Sequence, residues 1–346
     1  MSIIVLKLPE VKVNAERPTK CPACGGEVLQ RWGGSIRKVR DPYVEEVIVY
    51  RYRCWRCRHV FRHYPEGVDQ AQQTQRLRKL AALSWLLGLS YRGLAGLFQV
   101  FGVSLSRMSA WRDVQERAEQ LRRQRKWQPV RVLGVDGAMV RGLGKEQKVL
   151  IAVDLGTGQP VKIGYVDEHD PRAVRRWLEP LVKQLGVSVI VTDDLVTYNP
   201  VAEQLGLERQ ICQFHVRRWV NRTLKELRTS VPSEWVPVVD EVKEILADLP
   251  PEGSKRLFEL WKQIPERRAG RDQPFSALNH LRYLLLRLSE SWPKYRLFTW
   301  QTDVPWTNNG TEQVIGRMKV RSSIVRGYKS RDGLLAALMV AGSGLC

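Results

Sequence analysis

Two apolar runs that each carry an acid constrain this chain more than any other feature. VRVLGVDGAMV (130–140) and VSVIVTDDL (187–195) read as strands of a buried sheet, with Asp136 inside the first and Asp193 at the end of the second. A carboxylate on a buried element is costly unless it is paired or binds a metal. Asp136-Gly137 also reads as a turn. The apolar residues Ala138–Val140 carry the strand onward, however, and Gly142-Leu143-Gly144 is a better turn. Asp194 rivals Asp193. Strand alternation lets only one of the pair face a site, and Asp193 is nearer the strand. Either could instead cap the segment that follows.

The surrounding pattern predicts strands over 130–140, 147–154 and 160–167, then a helix over 171–185. A strand over 187–192, a short helix over 199–206 and a short strand over 209–214 follow. Residues 216–290 carry leucines at helical spacing. The order β-β-β-α-β-α-β followed by helices implies a mixed α/β sheet with an α-helical insertion.

A third acid, Glu312, lies in TNNGTEQVIGRMKVR (307–321), on a predicted helix capped by Asn308, Asn309 or Thr311. A first-turn Glu commonly complements the helix dipole. Here Arg317, Lys319, Arg321, Arg326 and Lys329 follow closely. An acid beside such a basic surface suits a site that binds metal and phosphate together. Three carboxylates can hold two Mg²⁺ or Mn²⁺ ions, which prefer oxygen ligands and can activate an in-line displacement at phosphorus.

The formal charge of +20 over 346 residues points to a polyanionic partner, and DNA is the expected one. No run of 18 apolar residues predicts a membrane span. The start, MSIIVLKLPEVKV, lacks the pattern of an export signal. The expected location is cytoplasmic, with the nucleoid.

Residues 1–66 hold two CxxC pairs, Cys21/Cys24 and Cys54/Cys57, joined by strand-like sequence. Without an export signal, metal binding is the expected use of these thiols. The pairs read as two knuckles of a zinc ribbon holding one structural Zn²⁺. His59 and His63 follow the second knuckle; they could replace a ligand but are expected at the surface. Residues 67–128 read as a helical DNA-binding domain. Leu94, Leu97, Phe98 and Phe101 form one stripe, and Gly102-Val103-Ser104 a turn with Ser104 as cap. A second helix has Leu105, Met108, Trp111 and Ala118 inward. This is the pattern of a helix-turn-helix. It places Ser106, Arg107, Ser109 and Arg112 outward, where a recognition helix meets DNA.

The strings VDG, VTDDL and TNNGTEQVIGRMKVRSSIVRGYKS resemble the DDE-type transposases of bacterial insertion sequences over about residues 130–335. The resemblance implies a ribonuclease H-like α/β catalytic domain over 129–335, interrupted by an α-helical insertion at 216–300 as in the Mutator-like branch, with 336–346 as a C-terminal tail. It implies that Asp136, Asp193 and Glu312 are the catalytic acids and hold two Mg²⁺ (or Mn²⁺) ions. It also implies action on the element's terminal inverted repeats and on target DNA, cutting and joining through a 3′-hydroxyl, and assembly of homo-oligomers on DNA. The branch carries a C-x-x-H string after the second acid, here Cys212-Gln213-Phe214-His215. His215, Asn308 and Asn309 are therefore expected as site support, and a core role for Cys212 is an equal alternative. Trp219, Trp300 and Trp306 are candidates for stacking on an unpaired base or for the core. Two further readings are an inactive, domesticated DNA-binding regulator and a ribonuclease H-like nuclease without strand joining.

Overall fold

A computed structural model describes residues 8–125, 128–265, 276–325, 328 and 330–344. The chain divides into two compact units, Met1–Leu121 with Val320–Cys346, and Arg122–Lys319.

The first unit opens with an antiparallel sheet of β1 (Leu29–Lys38), β2 (Glu46–Cys54) and β3 (Val60–His63), in that order. Three helices follow: α1 (Gln75–Leu86), α2 (Tyr91–Val100) and α3 (Arg107–Arg125). Thr74 and Ser90 cap the first two, their hydroxyls accepting from Leu77 and Gly93 N–H. The third is capped by Ser106, whose Oγ accepts the Ser109 N–H at 3.0 Å. The expected cap, Ser104, lies two residues too early. The helix buries instead the apolar stripe of Ala110, Val114, Ala118 and Leu121. Met108 and Trp111, expected inward, are 55% and 37% exposed.

In the second unit a five-stranded sheet has the order β6-β5-β4-β7-β8. The strands are β4 (Val132–Gly142), β5 (Lys145–Asp154), β6 (Gln159–Gly164), β7 (Val189–Thr192) and β8 (Glu208–Ile211). The first three form an antiparallel meander, and β7 and β8 run parallel to β4. Leu143 and Gly144 close the β4–β5 hairpin with φ of 51° and 79°, the two positive values of a type I′ turn. Helix α4 (Pro171–Leu185) returns the chain from β6 to β7. Asp170 caps it, Pro171 sits in its first turn, and left-handed Gly186 ends it. Helix α5 (Tyr198–Leu205) makes the second crossover. The order expected from the sequence is present strand for strand.

Alternation along the strands sorts the core. Leu133, Val135, Leu150, Ala152 and Ile190 face α4 and α5, packing on Val174, Leu178, Tyr198 and Val201. Val132, Val189 and Val191 face the other way, against Leu297 and Val304. The insertion is helical, as expected. Its helices α6 (Gln213–Ser230), α7 (Val236–Asp248), α8 (Gly253–Gln263) and α9 (Ala277–Arg296) have their own leucine-rich core closed by Trp292 and Tyr295. Helix α10 (Asn309–Ile324) then returns to the sheet.

The division between the units falls inside α10, so residues 320–335, expected in the catalytic domain, group with the first unit. The tail expected over 336–346 is instead the body of helix α11 (Arg331–Ser343), buried from Gly333 to Ser343 apart from Leu335. Its apolar sequence, LLAALMVAG, has no solvent-facing stripe and can only be stable inside a core. No described helix is long and apolar enough to cross a membrane.

Gly134 is where α10 meets the sheet. A β-carbon there would overlap the Thr311 hydroxyl and come within 2.7 Å of Asn308 Oδ1. Both of those side chains are buried. Gly134→Ala is expected to destabilise the protein by about 1–3 kcal/mol through overpacking. Urea denaturation measures this, and an unchanged midpoint would contradict the contact.

Candidate active site and metal centres

Asp136 and Asp193 are brought together by strand register. Val132 pairs with Val189 and Gly134 with Val191, an offset of 57 residues, which carried two residues further sets Asp136 beside Asp193. Alternation puts both on the face of Val132 and Val189, the face that α10 approaches. The Asp193 side chain also accepts the Leu195 N–H at 3.1 Å, so it caps the following turn as well. Asp194 turns away and forms a 2.5 Å ion pair with Arg287 of α9.

Glu312 reaches the same face through Asn308. The Asn308 side chain donates to the Val135 carbonyl at 3.3 Å and accepts the Thr311 hydroxyl at 2.6 Å. Its backbone N–H donates to Cys212 Sγ at 3.2 Å. Asn308 thus joins β4, the start of α6 and the first turn of α10, one residue from Asp136 on the first and four before Glu312 on the last. Asn309, in contrast, is exposed at the helix start. His215, in the first turn of α6, places Nε2 3.7 Å from Glu312 Oε1.

Sequence reasoning missed two participants. Glu168, just beyond β6, lies over Gly137, where a β-carbon would overlap its carboxylate. It is a fourth acid at the site; burial, with Asp193 next, raises its pKa. Arg209 on β8 is 4% exposed. It donates to Thr192 Oγ1 at 2.9 Å, to the Asp193 carbonyl at 2.7 Å and to the Leu195 carbonyl at 3.1 Å, so it shapes the loop that carries Asp193. An arginine in a strand of four residues is the only signal the sequence offers for it.

Burial first, then the charges of Asp193 and Glu168, raise the Asp136 carboxyl from 3.8 to about 7, with His215 opposing. For His215, the neighbouring Cys212 thiol is the main cause of a rise to about 8, against the effect of burial. These half-buried, mutually repelling carboxylates suit hard divalent cations, whose charge would offset the repulsion. Asp136 and Asp193 could hold one, and Glu312 sits on the helix that Asn308 ties to the same face.

The four cysteines of the first unit converge as the spacing implies. Cys21 and Cys57 Sγ are 3.7 Å apart, as are Cys24 and Cys54, and all four sulfurs lie within 4.8 Å of one another. Tetrahedral zinc with bonds of about 2.3 Å sets sulfurs roughly 3.8 Å apart, so the residues fit that ion. Each knuckle turns through a left-handed residue, Gly25 (φ 70°) and Arg58 (φ 60°). His59 is exposed, and His63 packs edge-on to Tyr52; neither belongs to the cluster.

Among the expected DNA contacts, Ser106, Arg107 and Arg112 are exposed and Ser109 half-buried, with the Ser106 hydroxyl already serving as a cap. Lys319 is exposed, and Arg317 donates to the Gly158 carbonyl at 3.3 Å. Arg321 departs from expectation. It is 2% exposed, stacked 4.0 Å over Trp85 and donating to the Leu89 carbonyl, because its position on α10 faces the core of the first unit. Arg326 and Lys329 lie outside the described residues. Trp300 and Trp306 are half exposed, with Arg296 and Arg217 over their rings, whereas Trp219 packs on the insertion core.

The raised Asp136 pKa has a sign. The folded state keeps this proton to higher pH than the unfolded chain does, so its contribution to stability falls as pH rises from 3.8 towards about 7. In EDTA, Asp136→Asn is expected to melt about 5 °C above the wild type at pH 8 and to lose that advantage at pH 4. Calorimetry at both pH values checks this, and equal differences at the two would refute it. Removing zinc with a chelator is expected to abolish folding of the β1–β3 region. Unchanged proteolytic protection there, or no zinc in the purified protein, would refute the four-cysteine site.

Among solved structures, the chain is similar to the catalytic core domain of BIV integrase, at 15% identity over 46% of this chain and 95% of that one, with a TM-score of 0.20. No curated protein matches it. The model of the transposase IS66 family matches residues 162–335, a span that contains Asp193, Cys212, His215 and Glu312, while Asp136 lies ahead of it. With half its length matched by that model, the chain belongs to the IS66 family of transposases.

Proposed function

We propose that this transposase binds the terminal inverted repeats of its element, cuts there, and joins the freed 3′-hydroxyl to target DNA, using Asp136, Asp193 and Glu312. The observation that carries this reading is the register that sets Asp136 beside Asp193 on the sheet face to which Asn308 ties the helix of Glu312. Divalent cations held by these carboxylates would activate the attacking oxygen and stabilise the leaving one.

The chain's own residues hold the geometry. Asn308 sets the distance of Glu312 from β4, Arg209 holds the Asp193 loop, and the close fit at Gly134 keeps α10 on the sheet. In the first step a water oxygen bonds to phosphorus as the bond to the 3′-oxygen breaks, leaving a 3′-hydroxyl and a 5′-phosphate. In the second step that 3′-oxygen bonds to a target phosphorus, releasing its proton and a target 3′-oxygen. Lys319 and Arg317 follow Glu312 on the same helix and suit phosphate contacts. Arg107 and Arg112 on α3, with the β1–β3 module, would read the element ends, and pairing of two ends would assemble the chain as an oligomer on DNA.

Labelled DNA carrying the sequences that flank the gene tests the proposal. Cleavage at the element ends is expected with Mg²⁺ or Mn²⁺, none with EDTA, and about 10³-fold less for Glu312→Gln, the ~4 kcal/mol lost with one charged transition-state partner. Tight binding without cleavage in any metal would instead identify a DNA-binding regulator. Cleavage without joining would identify a nuclease.

A further inference from the structure

A soft ligand set shares one acid with the carboxylate site. Cys212 is the N-cap of α6, His215 lies in that helix's first turn, and Glu312 lies in the first turn of α10. One ligand atom from each lies within 4.8 Å of the other two, and His215 Nε2 is 3.7 Å from Glu312 Oε1. Ligands around tetrahedral zinc, with bonds of about 2.0–2.3 Å, sit roughly 3.5 Å apart, so small side-chain rotations complete the geometry.

Two further observations point to an ion. His215 Nδ1 and Glu312 Oε1 are both buried and have no hydrogen-bond partner among the described residues. Orphaned polar atoms are rare in native structures, and a pair of them beside a buried thiol suits a bound ion. The sulfur is also fixed in place by the Asn308 N–H, and the His215 ring by edge contact with Phe214 at 5.6 Å between centroids. Two helix N-termini meet here, and their dipoles favour the anionic thiolate and carboxylate. Thiolate and imidazole ligands select zinc or cobalt over magnesium.

We propose that Cys212, His215 and Glu312 form a zinc site separate from the four-cysteine one, with its fourth position open to water, and that zinc bound there withdraws Glu312 from the catalytic ions. Zinc would then act as a brake on strand cleavage. The binding half stands on the cluster alone; the inhibitory half rests on the transposase reading above. The bland alternative is a core cysteine beside a His–Glu ion pair, which binds no metal.

Zinc content of the full-length protein, loaded with excess zinc and freed of unbound metal, decides between them. The wild type is expected to hold one more zinc per chain than either Cys212→Ser, a nearly isosteric change, or His215→Ala, a change at a partly exposed position. Circular dichroism melting confirms that each variant is folded. In a cobalt titration the wild type is expected to show a thiolate-to-cobalt absorption that Cys212→Ser lacks, over and above that of the four-cysteine site. Equal zinc content in wild type and both folded variants overturns the proposal. Micromolar zinc added to a Mg²⁺ cleavage reaction is expected to slow the wild type at least about tenfold. Metal counts that differ while zinc leaves cleavage unchanged would keep the site and overturn the brake. A wild type that never cuts would remove the transposase reading while leaving the metal count to judge the site.

Discussion

The hydrogen bonds of Asn308 are the joint on which the acidic site depends. One buried amide spans the Val135 carbonyl and the Thr311 hydroxyl, and the same residue's N–H reaches the Cys212 sulfur. Each bond alone is worth about 1 kcal/mol net. Together they hold three segments far apart in the chain, and Gly134 lets them close because it has no side chain to interpose. Buried polar networks of this kind are stabilising only when complete, since a single missing partner strands the rest in low dielectric.

Around that joint the protein gathers acids against its own electrostatics. A chain with a net charge of +20 places Asp136, Asp193, Glu168 and Glu312 within one neighbourhood, and the first is raised to about 7 by burial and by its acidic neighbours. Native structures tolerate such repulsion at sites that do chemistry. Arg209 contributes by shaping the Asp193 loop through carbonyls, and Asp194 is drawn off by Arg287, which leaves one acid of the pair for the site.

Local signals were legible wherever one element sufficed to generate them. The helix over 171–185 could be read to the residue, because Asp170, Pro171 and Gly186 punctuate it and Val174, Leu178, Leu181 and Leu185 form its inner stripe. The four cysteines met as their spacing implied. Choices among near-equal local signals were less legible. Ser104 and Ser106 are both competent caps, and whether Met108 and Trp111 face in or out is decided by what the helix packs on. Arg321 looked like its basic neighbours, yet its angular position on α10 buries it over Trp85. The apolar end of the chain read as a tail because a helix without a polar face carries no amphipathic signal.

The sequence by itself determined the strand and helix order, the two knuckles and the three candidate acids, since each is written in periodicity, spacing or residue type within a short window. Only the tertiary structure decided that Asp193 rather than Asp194 stands beside Asp136, that Glu168 and Arg209 join them, and that Cys212 and His215 meet Glu312. Those facts depend on strand register and on contacts between segments far apart in the chain. Neither leaves a local trace, because register and long-range contact are set by how buried faces pack against one another.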